Sequence, residues 1–100
     1  MFGNFMDKLN EMKQKAEESK KRLDTIYVKG ESPDKSVTVT MNGNRVVKSI
    51  NFSDGFFSKD QEEIEDMLVI AVNKALENAE KVYEAEMQSA AKNILPNMPF

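Results

Sequence analysis

The chain has no cysteine and no histidine, which removes disulfide frameworks, thiolate chemistry, the commonest zinc ligands and the usual general base. A classical hydrolase or redox enzyme is not expected, and no cofactor is called for. No stretch approaches the ~18 consecutive apolar residues that a membrane-spanning helix requires. The start, Met1-Phe2-Gly3-Asn4-Phe5, carries neither a basic segment nor a long apolar run. A cytoplasmic protein is the expectation. One hundred residues suit a single domain with a modest core that dimerisation would enlarge.

What is present is, first, an apolar period. Phe2, Phe5, Leu9, Met12, Ala16, Leu23 and Ile26 recur at alternating steps of three and four, and Ser19 alone interrupts them. With these at the a and d positions of a heptad, Lys8, Lys15 and Arg22 fall at g and Lys13 and Lys20 at e. The seam therefore has basic edges. In a parallel two-stranded coil the lysines of e and g would meet, so an anionic surface is expected nearby, either nucleic acid or the protein's own acidic half. The net charge of −3 conceals that half: residues 1–52 carry ten Lys and Arg against seven Asp and Glu, residues 53–100 four against ten.

The first helix is expected from about Asn4, a candidate N-cap, to Asp24, with Lys20, Lys21 and Arg22 suiting its C-terminal dipole. Thr25–Lys29 turns β-branched and aromatic, and Gly30–Lys35 reads as a loop. Val37, Val39 and Met41 alternate with Thr38 and Thr40 as a half-buried strand does. Asn42-Gly43 predicts a type I′ hairpin, with Arg45–Phe52 returning and Ile50 and Phe52 facing inward.

Phe56 and Phe57 follow in a loop and are expected to close one end of the core. Ser58-x-x-Gln61 reads as a capping box that opens a helix over about 59–92. Its stripe is Ile64, Met67, Leu68, Ala71, Val72, Ala75, Ala79 and Val82. Because Met67, Leu68, Val69, Ile70 and Val72 lie in a segment that is apolar all round, a second copy of the chain is expected to cover what one sheet cannot. The tail, 93–100, with Pro96 and Pro99, is expected to be either disordered or docked by its apolar side chains.

The architecture expected is thus α+β: helix, three-stranded antiparallel meander, long helix. In that order and spacing, the Met- and Lys-rich first helix, Gly30-Glu31-Ser32, Val37-Thr38-Val39-Thr40-Met41-Asn42-Gly43, Ile50 and Phe52, Ala71-Val72-Asn73-Lys74-Ala75 and Pro96-Asn97-Met98-Pro99-Phe100 resemble the YbaB/EbfC family of bacterial nucleoid-associated proteins. The resemblance implies a nucleoid-associated, non-enzymatic homodimer in which sheets and second helices form a shared body, while the first helices project like tweezers onto duplex DNA. Two stretches depart from the family pattern. Ser53-Asp54-Gly55-Phe56-Phe57 stands where Asp-Pro and two leucines are common, and Ser89-Ala90-Ala91-Lys92-Asn93 replaces a Gly-rich run. They touch a loop and the tail, not the fold.

The candidate DNA contacts are Lys8, Lys13, Lys15, Lys20, Lys21 and Arg22 on helix 1, with Arg45 and Lys48 on the sheet, all addressed to phosphates. Against this reading stand local i, i+4 pairs (Glu11–Lys15, Glu17–Lys21, Glu18–Arg22) and a packing in which the lysines face Glu62, Glu65 and Asp66. Lys29 and Lys35 complete the basic set around the sheet, where lysines also discourage edge pairing. No helix-turn-helix, zinc-finger or ribonucleoprotein signature appears, so binding indifferent to sequence is expected. Asp60, Glu62, Glu63, Glu65 and Asp66 fit a helix N-terminus better than a calcium loop. The alternative function is a protein-binding adaptor, in which the apolar seam of helix 1 receives a partner helix. Anchoring of Phe2, Phe5, Met6 and Leu9 at a membrane surface is a weaker reading than their burial in protein.

Overall fold

The computed structural model describes residues 2–94, with side chains over 3–92. The elements are α1 (Phe2–Asp24), β1 (Tyr27–Glu31), β2 (Val37–Asn42), β3 (Val47–Phe52), a short 3₁₀ turn (Phe56–Ser58) and α2 (Gln61–Ile94). The expected α-β-β-β-α order is present. Residues 95–100, for which disorder or docking was expected, lie outside the described residues, as does the side chain of Phe2 in the seam.

The strands form an antiparallel meander in the order β1-β2-β3. Central β2 turns Val37, Val39 and Met41 onto α2, where they pack with Phe56 and with Ala71, Ala75 and Ala79. The alanine stripe exists because helix and sheet approach closely at Gly30, which pairs with Val39. A Cβ there would overlap the backbone of Ala71 and Ala75. That contact carries β1 through Gly30 and Glu31, two residues past the expected loop boundary.

Ile50 and Phe52 lie opposite Val39 and Val37 and so point to the same face as the core. Yet each is 40% exposed, because α2 crosses β1 and β2 and leaves β3 uncovered. They face inward without being covered. Phe56 is buried whereas Phe57 is 69% exposed, so only one of the pair docks; their rings lie 4.9 and 4.8 Å from that of Phe52 and 5.2 Å from each other, edge to face.

Three local expectations are corrected. The β2–β3 connection is not a type I′ turn. Asn42 N donates to Val46 O and Arg45 N to Asn42 O, which encloses the three-residue loop Gly43-Asn44-Arg45, and it is Arg45 rather than Gly43 that takes positive φ (66°). Gly43 is needed for proximity: its N–H donates to Leu23 O and Ile26 O, and a Cβ would come within 2.8 Å of Leu23 Cδ2. Likewise α2 is capped by Asp60, whose Oδ1 accepts from Glu63 N at 2.9 Å, while Ser58 Oγ donates to Gly55 O. Asn4 lies inside the first turn of α1, which begins at Phe2.

A sheet of five- and six-residue strands spans roughly 20 Å, whereas the 34 residues of α2 reach about 51 Å. The long helix therefore overshoots, and α1 packs along the overshoot. Extents of 67 × 23 × 18 Å and a radius of gyration of 19.0 Å follow, against about 13 Å for a compact chain of this length. The seam of α1 divides in consequence. Ser19 and Leu23 are fully buried, while Phe5, Met6, Leu9 and Met12 are 43–61% exposed.

Candidate nucleic-acid interface

α1 holds six basic and five acidic residues, with the bases along both edges of the seam. Its internal pairs are Lys8–Glu11 and Lys15–Glu18, both at 3.6 Å and spaced i, i+3. The expected Glu11–Lys15 and Glu18–Arg22 pairs do not form, because Glu11 and Glu18 turn back to the preceding lysines and Arg22 is drawn elsewhere. Exposed pairs of this kind contribute a few tenths of a kcal/mol, about thermal energy, and do not neutralise the rows. Among the described residues Lys13, Lys20 and Lys21 have no carboxylate within 4.0 Å.

Arg22 is held differently. Its Nε and Nη2 donate to Glu86 Oε1 and Oε2 at 3.0 and 2.8 Å, and Ser19 Oγ donates to Glu86 Oε2 at 2.9 Å. This two-pronged geometry holds the Glu86 carboxyl below the usual range and raises the guanidinium in turn. The acidic partner of α1 is thus Glu86 near the far end of α2, not Glu62, Glu65 or Asp66 at its start. Of those, Glu65 accepts from Gln61. Sequence reasoning overlooked Ser19 and Glu86 as partners, although each left a mark. Ser19 breaks the apolar seam, and Glu86 falls on the stripe that runs through Ala79 and Ala90; a polar residue on a buried face has a partner.

The β2–β3 turn is bonded to the C-terminal end of α1. Asn44 Nδ2 donates to Lys20 O at 2.9 Å and to Asp24 Oδ1, and Gly43 N donates to Leu23 O in the last turn of the helix. This brings Lys20 and Arg45, which lie far apart in the chain, to one cleft of about 470 Å³, lined also by Leu23, Val46, Tyr83 and Met87. The Arg45 guanidinium stacks on Tyr83, 4.4 Å from the ring centroid. Lys48 sits where the β2–β3 register shifts, exposed and away from that cleft. Lys29 contributes its carbonyl oxygen to Asn78 Nδ2, and Lys35 takes positive φ in the β1–β2 turn.

On the opposite flank of α2, Val69 is 57% exposed, Met67, Leu68 and Val72 are half-buried against the core, and Ile70 is half-buried. Leu68, Val69, Val72 and Asn73 line a shallow groove of about 250 Å³. Among the described residues no helix is long and apolar enough to cross a membrane.

The family described as YbaB/EbfC DNA-binding matches residues 1–94. A nucleoid-associated protein of Flavobacterium johnsoniae is 42% identical over 94 residues, covering 94% of this chain and 88% of the relative. A nucleoid-associated protein of Legionella pneumophila is 30% identical over 98 residues, covering 98% and 86%. An uncharacterized protein of Helicobacter pylori has the same fold, with a TM-score of 0.72 over 95% of this chain and 97% of that one at 21% identity. The chain belongs to the YbaB/EbfC DNA-binding family.

Proposed function

We propose that the protein is a non-enzymatic, homodimeric nucleoid-associated protein that holds duplex DNA through phosphate contacts of α1, with little preference for sequence. The observation that carries this reading is the division of α1. Its C-terminal half is bonded to α2 through Ser19, Arg22 and Glu86, whereas the half that bears Lys8, Lys13 and Lys15 lies along an exposed seam. Lysines at the ends of flexible stems suit phosphates, which carry no base identity. Arg22 then serves mainly to hold the arm, and the lysines bear the DNA. The homodimer is supported by the uncovered apolar side chains of β3, the 3₁₀ turn and α2, where Ile50, Phe52, Phe57 and Val69 are all exposed.

Reversing Lys13, Lys15 and Lys20 to Glu tests the reading. Loss of DNA binding by a variant that keeps its oligomeric state and thermal stability supports it; retained affinity refutes it. The exposed Phe5, Met6, Leu9 and Met12 favour a second reading, in which the seam of α1 takes an amphipathic helix from a protein partner. Changing Leu9 and Met12 to Ser would then abolish partner binding and leave DNA binding intact.

A further inference from the structure

Three elements converge at the cleft between the end of α1, the β2–β3 turn and α2, and they hold the Arg45 side chain there. Its backbone takes φ 66°, a left-handed conformation that an L-residue resists. The bonds that close the three-residue loop, Asn42 N to Val46 O and Arg45 N to Asn42 O, hold it there, and Asn44 and Gly43 fasten the turn to α1. Its side chain lies over the Tyr83 ring. Stacking occupies a face of the guanidinium and leaves N–H donors of its planar fork for an acceptor.

We propose that this cleft seats one phosphodiester of the sugar–phosphate backbone of duplex DNA, gripped by Lys20 and Arg45, with Tyr83 as the positioning residue for the guanidinium. The inference rests on the DNA reading above and adds to it a fixed anchor at the base of the arm. Lys20 and Arg45 line the same cleft, and among the described residues neither has a carboxylate within 4.0 Å. Asp24, the single acid in the lining, already accepts from Asn44 and Asn42. The remaining walls, Ala16, Leu23, Val46 and Met87, are apolar and match the carbon face of a deoxyribose. A phosphate fits a planar fork in two-pronged fashion. The cleft, about 470 Å³, holds a segment of one strand and not a duplex.

The test is fluorescence anisotropy with labelled duplex DNA over a salt series, on the intact protein and four variants, each checked by circular dichroism for its melting temperature. Removing one phosphate contact lowers the slope of log affinity against log salt by about 0.9, which corresponds to about eight-fold weaker binding at 100 mM salt relative to a 1 M reference. Arg45→Gln is expected to show both changes. Arg45→Lys keeps the charge and so the slope, but loses the stacked fork and binds about two- to five-fold more weakly. Tyr83→Leu gives the same signature, weaker binding at unchanged slope, while Tyr83→Phe keeps the ring and binds as the parent does.

An unchanged slope for Arg45→Gln, in a protein that itself binds steeply, overturns the phosphate seat and leaves the DNA reading intact. Parent-like affinity for Tyr83→Leu overturns the positioning role. Absence of binding by the parent protein at low salt sinks the DNA reading and the seat together.

Discussion

Adding a single methyl group at Gly30 tests the packing that sets α2 on the sheet. A Cβ at Gly30 would stand 2.8 Å from Ala75 Cα and closer still to Ala75 N and Ala71 O. Comfortable carbon contacts begin near 3.5 Å, so α2 must lift by about 1 Å, and a gap of that size forfeits a quarter to a half of each contact it opens. The contacts at risk are those of Val37, Val39, Met41 and Phe56 with the Ala71, Ala75 and Ala79 stripe. The obstacle is backbone and has no rotamer to yield. We therefore expect Gly30→Ala to cost about 3 kcal/mol, the upper end for overpacking. In a domain this size that is a fall of about 12–24 °C in Tm.

Gly43→Ala meets Leu23 Cδ2 at 2.8 Å, which can turn aside, and Leu23 O only at 3.0 Å, and is expected to cost about 1 kcal/mol, or about 4–8 °C. Gly3→Ala meets nothing within 4 Å among the described residues and is expected to lose no stability. Thermal denaturation by circular dichroism at one fixed protomer concentration reads all three. A Gly30→Ala protein melting within 3 °C of the parent, or above Gly43→Ala, refutes the reasoning.

Two further outcomes follow from other parts of the molecule. Asp34 accepts from Ser32 Oγ, Ser36 N and Ser36 Oγ at 2.6–3.0 Å and pairs with Lys59 at 3.3 Å, which together hold its carboxyl well below the usual range. A carboxyl depressed by folding stabilises above its ordinary value and loses that contribution as pH falls through the folded one. Urea denaturation from pH 6 to pH 2 should therefore show stability falling on the acid side, with a shallower fall for Asp34→Asn; parallel profiles would contradict this. Val69→Asp places a charge on the exposed apolar flank of α2 and is expected to turn dimer into monomer in analytical ultracentrifugation, whereas an unchanged mass removes that flank from the interface.

The sequence conveys elements more clearly than their ends. Val37, Val39 and Met41 alternate because one face is buried, and Ala71, Ala75 and Ala79 recur because the helix lies close, so both periods report packing directly. Asn42-Gly43 marked a turn correctly but not its type, since Gly43 answers to Leu23 on a distant helix rather than to local φ. The cap was expected at Ser58, but the 3₁₀ turn at Phe56–Ser58 engages that serine with Gly55, and Asp60 caps α2 instead. Ile50 and Phe52 keep the expected side of the sheet, but how far α2 reaches across it is a tertiary fact.

For the candidate site, the basic rows were legible as a heptad property of one helix. What they face was not. Glu86 lies 64 residues from Arg22, and Tyr83 is 38 residues from Arg45; nothing local encodes either meeting. The fragments were visible all the same, in a serine within an apolar seam and a glutamate on an apolar stripe.

The central claim is that α1 holds duplex DNA by its phosphates with little regard to sequence. Its most direct test is a titration of two unrelated labelled duplexes with the protein from ~50 to 200 mM salt, where several phosphate contacts cost orders of magnitude in affinity. The account predicts micromolar or tighter binding of both duplexes at the lowest salt, with the same steep slope. No binding at the lowest salt, a flat slope, or strong binding of one duplex alone would contradict it.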